Sequence, residues 1–297
     1  MKLKIHIFIL FFSFLSASSF QQIAQDHISV YFEEKDRNIA ASALQTVYEQ
    51  QERLQKQYGL PSRNMHIYIA PDENSYRQMA GSASPLWAAG LAGGDRMLIK
   101  SPSFSTQTLP AFRKTLRHET VHLSLSGYDI PVWFEEGLAQ YESGDWDFSK
   151  KMILSRAAWQ RQFIPFRDIE QLTRMSAREA ELAYAQSLSA IDRIISHFGV
   201  ELLARSLDLT KTYDDFNKGF RNAYLMSTED YERLWQEYAV KRYRFYLFTD
   251  LGAFFWPMTV VLFILGYFLT RLRRRKLLKQ WERDELESEF GEKDDAV

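Results

Sequence analysis

Residues 117–141 read RHETVHLSLSGYDIPVWFEEGLAQY, and the spacing of imidazoles and carboxylates in that stretch decides what the rest of the chain has to build. His118 and His122 stand four positions apart, so on a helix both rings leave the same face and can grip one ion. Glu119, turned by about 100 degrees from His118 on a 3.6-residue helix, falls beside that ion and is free to take a proton from water. Pro110 can open this helix and Gly127 can close it. A surface helix with two solvated histidines is the plainer reading, but it leaves the apolar neighbours Val121, Leu123 and Leu125 without a reason. Catalytic zinc generally takes three protein ligands plus water, so two histidines leave the site one short. Pro131 can start a second helix whose first turns hold Glu135 and Glu136, and one of these can reach back to the metal.

Composition narrows the chemistry. With 46% apolar and 25% charged residues over 297 positions, the chain is neither disordered nor collagen-like, and its length suits one medium domain with appendages. It has no Cys, which removes thiol nucleophiles and thiolate zinc sites and leaves His and carboxylates as the metal ligands. The net charge of -1 gives no field for attracting a polyanion, and the 15% aromatic content has no accompanying basic stripe, so no nucleic-acid partner is expected.

Both ends carry topological signals. Residues 1–20 combine Lys2 and Lys4 with an apolar run and a small-residue finish, the layout of a secretory signal peptide. Residues 251–270, LGAFFWPMTVVLFILGYFLT, contain no charge and are long enough to span the hydrocarbon core as one transmembrane helix, with Pro257 tolerated inside it. Arg271, Arg273, Arg274, Arg275, Lys276 and Lys279 follow at once, which places the C-terminal side in the cytoplasm and the preceding domain outside. The expected layout is a signal peptide at 1–20, an exported domain at 21–246, a membrane helix at 251–270 and a charged cytoplasmic tail at 271–297, its acidic end solvated or disordered.

Within 21–246 the pattern reads as strand at 28–32, amphipathic helix at 36–58 and strand at 65–69, then a glycine-rich turn leading into a short strand across 90–100. After Pro110 helical signals dominate, at about 109–126, 132–142, 149–161, 177–197, 200–210, 213–224 and 228–247. A small N-terminal mixed sheet followed by a helical body is an α+β fold. The 90–100 segment is either a plain hairpin or the edge of a cleft on which an extended peptide can add as a strand; Gly93-Gly94 is not a phosphate loop. His27, His66 and His197 lie in unrelated segments.

A helix-borne HExxH followed by Trp133-x-x-Glu136-Gly137-x-Ala139 resembles the gluzincin metallopeptidases, and most closely the peptidase MA-like domains of bacterial exported and membrane proteins. The likeness covers roughly residues 100–240, with its sharp motifs at 117–141. In that pattern the carboxylate ligand directly precedes Gly, so the resemblance implies Glu136, 14 residues beyond His122, as third ligand to Zn2+ with His118 and His122. Glu135 then becomes a neighbour, near a substrate amine or solvated. Tyr184, in the stretch Tyr184-Ala-Gln-Ser187, resembles the family's oxyanion donor; an aromatic at helical spacing is also an ordinary core residue. The chain departs from the pattern at Gln140, where thermolysin-like enzymes place an Asp that orients a ligand, and in its short spacer relative to the large aminopeptidases. A metzincin is disfavoured by Leu125 and Tyr128, which stand where a Gly and a third His would follow HExxH. The resemblance implies a membrane-anchored zinc peptidase acting on peptide or protein substrates, with Glu119 as base. The alternatives are a non-catalytic adaptor or chaperone domain serving envelope protein partners, and a cell-wall amide hydrolase.

Overall fold

The computed structural model of the chain describes residues 20–81, 89–244 and 246–294; the expected signal segment, apart from Phe20, lies outside the described residues. The first of two compact units ends at Arg244 and the second begins at Phe245. The first opens with β1 (Gln21–Gln25) and β2 (Ile28–Phe32), then α1 (Arg37–Tyr58), β3 (Met65–Ala70), α2 (Glu73–Ala80), and the hairpin β4 (Gly90–Gly93) and β5 (Arg96–Lys100). Helices fill the remainder: α3 (Leu109–Leu125), α4 (Val132–Ser143), α5 (Phe148–Gln160), a 3-10 segment (Phe166–Arg174), α6 (Ala177–Phe198), α7 (Val200–Tyr213), α8 (Phe216–Tyr224) and α9 (Thr228–Tyr243). The α+β reading of the sequence therefore describes the molecule.

The sheet runs β1-β2-β3-β5-β4, with β2, β3 and β5 parallel at its centre and antiparallel strands at both edges. Alternating apolar residues of the three central strands, Ile28, Val30, Met65, Ile67, Met97 and Ile99 among them, pack against α1 and α3. Strand periodicity of two puts these side chains on one face, which is why they form one core. A second core fills the helical body. Helix α3 belongs to both, giving Phe112, Leu116 and Leu123 to the sheet core and Val121 and Leu125 to the helical one. Its rotation is thereby held from two sides.

Local chemistry sets the helix ends. The Thr108 hydroxyl accepts from the Ala111 amide at 3.4 Å to cap α3, and Pro110 sits in its first turn as the sequence predicts. The helix expected at 213–224 starts later, at Phe216, because Asp214 takes a left-handed φ of 49° and Asp215 caps the Lys218 amide at 3.0 Å. Among the described residues, β1, α2, the 3-10 segment and a short 3-10 turn at Glu34–Asp36 carry too little pattern to be seen beforehand.

Glu142 ties α4 to α1. Its side chain is buried, and its oxygens accept from Tyr58 Oη (2.6 Å), Gln50 Nε2 (3.2 Å) and Arg53 Nε (3.0 Å), all on α1. A buried carboxylate needs such partners, since an unpaired one is expelled or protonated.

The second unit is one helix, α10 (Tyr246–Asp294), with Pro257 inside it. Among the described residues its stretch Phe255–Trp281 is the one long and apolar enough, by length and composition, to cross a membrane. The acidic end, expected to be solvated or disordered, continues as helix to Asp294; its Glu, Lys, Arg and Leu residues are good helix formers.

Tyr58→Phe removes one bond to the buried Glu142 carboxylate, and hydrogen bonds to charged groups contribute about 1.5–3 kcal/mol. The variant is expected to lose about 2 kcal/mol of stability, read from the midpoint shift in denaturant unfolding.

Candidate metal centre

The site lies on the seam between α3 and α4. His118 and His122 project from one face of α3, with ring centroids 4.8 Å apart and Nε2 atoms 3.1 Å apart. From α4, Glu136 brings Oε2 to 3.6 Å from His118 Nε2 and Oε1 to 3.8 Å from His122 Nε2. A tetrahedral ion with ligands at 2.0–2.1 Å needs donors separated by about 3.3 Å. One donor atom from each of the three residues lies within 4.8 Å of the others, so they can share one ion with little movement. Among the described residues, Glu136 Oε2 is buried with no hydrogen-bond partner, which is costly for a carboxylate unless a cation faces it. Two imidazoles and one carboxylate form a donor set of the type that binds zinc.

Glu119 is buried and lies on the β4 side of α3, where a Cβ built on Gly90 would come within 3.2 Å of its Oε1 and 2.8 Å of Thr115 Cγ2. Gly90 therefore lets the edge strand close onto the helix at the position of the candidate base. Glu135 accepts or shares a proton with His122 Nδ1 at 2.9 Å, away from the ring nitrogen that faces His118. Gln140 does not reach a histidine; its Nε2 donates to the backbone carbonyls of Glu136 (3.3 Å) and Tyr184 (3.1 Å), stitching α4 to α6.

Burial dominates the electrostatics. It pushes the Glu136 carboxyl up to about 7 and holds Glu119 above the ordinary carboxylate range, with His122 pulling both back and Glu135 adding to the rise. Burial also drives His118 well below its usual value, helped by His122, Lys150 and Lys114, which keeps it neutral as a metal ligand must be. For His122 burial acts downward, but Glu136, Glu135 and Glu119 outweigh it and raise the ring to about 10. Tyr184 on α6 is shifted upward by burial and then by Glu136 and Glu119, so it remains a protonated donor that feels both acids.

Trp133 of the Trp-x-x-Glu-Gly stretch has a packing role. Its ring stacks on Phe166 at 4.4 Å and meets Phe134 at 5.5 Å, anchoring the start of α4 in the helical core. Gly137 seats the same helix on α6, where a Cβ would lie 2.4 Å from the Ser187 carbonyl oxygen. All five residues singled out from the sequence (His118, Glu119, His122, Glu136 and Tyr184) thus come from α3, α4 and α6 around one seam. His27 and His66 lie elsewhere, against Gln51 (2.5 Å) and Tyr31 (3.3 Å), while His197 packs on Phe198. The contacts of Glu135 and Gly90 were not foreseeable; a run of glycines near residue 93 was the one hint of the second.

Residues 46–241 match the Peptidase MA superfamily, about two thirds of the chain. The chain belongs to the Peptidase MA superfamily. It is also 23% identical over 134 residues to a protein of Bacillus subtilis (strain 168) named as uncharacterized protein YhcO, an alignment covering 41% of this chain and 39% of that one. The chain thus matches about two fifths of this relative's length. Every residue of the seam lies inside the superfamily match, while β1, β2 and α10 lie outside it.

Gly137→Ala would drive a methyl into backbone, and overpacking of this kind costs about 1–3 kcal/mol. The expected result is a lower unfolding midpoint together with weaker zinc uptake, because the residue before it, Glu136, moves with the helix; calorimetry and elemental analysis read the two effects.

Proposed function

We propose that this protein is a membrane-anchored zinc peptidase. The observation that carries the reading is the convergence of His118, His122 and Glu136 to within 4.8 Å, with a buried Glu136 oxygen that has no hydrogen-bond partner among the described residues. These three residues would hold the metal. Bound there, Zn2+ supplies a Lewis acid that polarises a carbonyl and brings the pKa of water toward neutrality.

The chain's own residues do the rest. Glu119, with its affinity for a proton raised by burial, takes the proton of the attacking water and hands it to the amine that leaves as the C–N bond breaks. The Tyr184 hydroxyl, held protonated, donates to the oxygen that turns negative in the transition state. Strand β4 is the sheet edge beside Glu119, so an extended peptide can pair with its backbone and present one bond to the base. The apolar span Phe255–Trp281 supports a single-pass anchor, and the cationic cluster after residue 270 supports an exported domain with a cytoplasmic tail. The substrates are then peptides or proteins near the membrane surface.

Glu119→Gln is expected to keep zinc and lose hydrolysis of a peptide library; undiminished turnover would remove Glu119 as base. His122→Ala should release the metal, and full zinc occupancy by elemental analysis would contradict its ligand role. Tyr184→Phe should lower kcat by about 100-fold with KM little changed, the usual cost of removing one oxyanion donor. A zinc-loaded wild type that cleaves neither peptides nor cell-wall material would instead favour the adaptor reading.

A further inference from the structure

The proposed site needs something to hold its histidines, and the position where thermolysin-like enzymes place an orienting Asp is occupied by Gln140. That side chain is committed to two backbone carbonyls on α4 and α6 and touches neither imidazole. The only carboxylate placed against the far nitrogen of His122, among the described residues, belongs to Glu135, whose Oε1 lies 2.9 Å from Nδ1. Both side chains are only 18% exposed, so water competes weakly for the contact.

We infer that Glu135 is the positioning residue of the metal centre. It accepts the Nδ1 proton of His122 and so fixes the tautomer in which Nε2 carries the lone pair. That nitrogen is the one 3.1 Å from His118 Nε2 and 3.8 Å from Glu136 Oε1, where the ion would be shared. A flipped ring would present carbon to Glu135 and lose the bond, so the same contact locks the ring's rotation. Acceptors behind metal-bound imidazoles commonly change affinity by 10–100-fold when removed.

Two neighbouring acids on one helix turn thereby divide the work. Glu136 faces the ion directly, and Glu135 acts on it through His122. The pair Glu135-Glu136 leaves the Gln140 position free to join α4 to α6.

The inference rests on the zinc reading, and the test separates the two. Full-length wild type, Glu135→Gln and Glu135→Ala are compared in detergent for zinc affinity by chelator competition and, loaded with zinc, for the His122 tautomer (which ring nitrogen stays protonated) by 15N-histidine NMR. The chain has six histidines, few enough to assign. Alanine is expected to weaken zinc binding 10–100-fold and to release the His122 ring to a mixture of tautomers. Glutamine, which keeps an acceptor oxygen, should rescue the Nδ1–H tautomer and lie between alanine and wild type. Alanine and wild type binding zinc alike, or glutamine as weak as alanine with no tautomer rescue, overturns the role of Glu135 while leaving the zinc reading intact. A wild type that takes up no zinc overturns both. Should the alanine variant fail to fold by circular dichroism, the tautomer and affinity of the glutamine variant decide.

Discussion

Three carboxylates and two imidazoles share one part-buried seam, and their mutual repulsion and desolvation are the constraint around which the remaining structure is arranged. Burial raises Glu119 and Glu136, and repulsion adds to it, from Glu135 on Glu119 and from Glu135 and Glu119 on Glu136. Such crowding relaxes in two ways, by protonation or by a shared cation, and the short distances between donor atoms on α3 and α4 favour the second. Scaffold rigidity is what keeps the acids together in the meantime. Helix α3 is wedged between two cores, and α4 is fixed at its start by Trp133, in its middle by Gly137 on α6, and near its end by Glu142 on α1.

Much of this was legible beforehand because it is local. The i, i+4 spacing of His118 and His122 is a helix property, and so is the placement of Glu119 on an adjacent face. The α+β division follows from a change of hydrophobic period after Pro110. What escaped was non-local. No pattern in the letters brings Gly90 against Glu119, since strand β4 and helix α3 meet only through the tertiary fold. Glu135 was readable as an acid beside a ligand, but its choice of His122 over solvent depends on the crossing of α3 and α4. The sequence showed that Gln140 departs from the thermolysin-like Asp but not what it does instead; it bonds to backbone because α6 passes close enough for the Tyr184 carbonyl to accept from its amide.

The ends of the chain illustrate a different limit. Hydropathy identifies an apolar span near the C-terminus, and the structure contains it within one long helix. Helix propensity then carries the same element on through the charged stretch that follows. Composition and conformation answer separate questions here: the apolar content of 251–270 speaks to lipid, whereas the Leu, Glu, Lys and Arg content of 271–294 speaks to backbone geometry.

The way α4 is held has a bearing on the order of assembly. Its three attachments involve a tryptophan in an aromatic nest, a glycine against a carbonyl and a buried acid on a tyrosine, and none of them requires an ion. In small zinc modules the cation is the nucleus around which the polypeptide condenses. Here nothing in the attachments of α4 waits on a cation, so on the zinc reading the ion would enter a receptor that the polypeptide has already built.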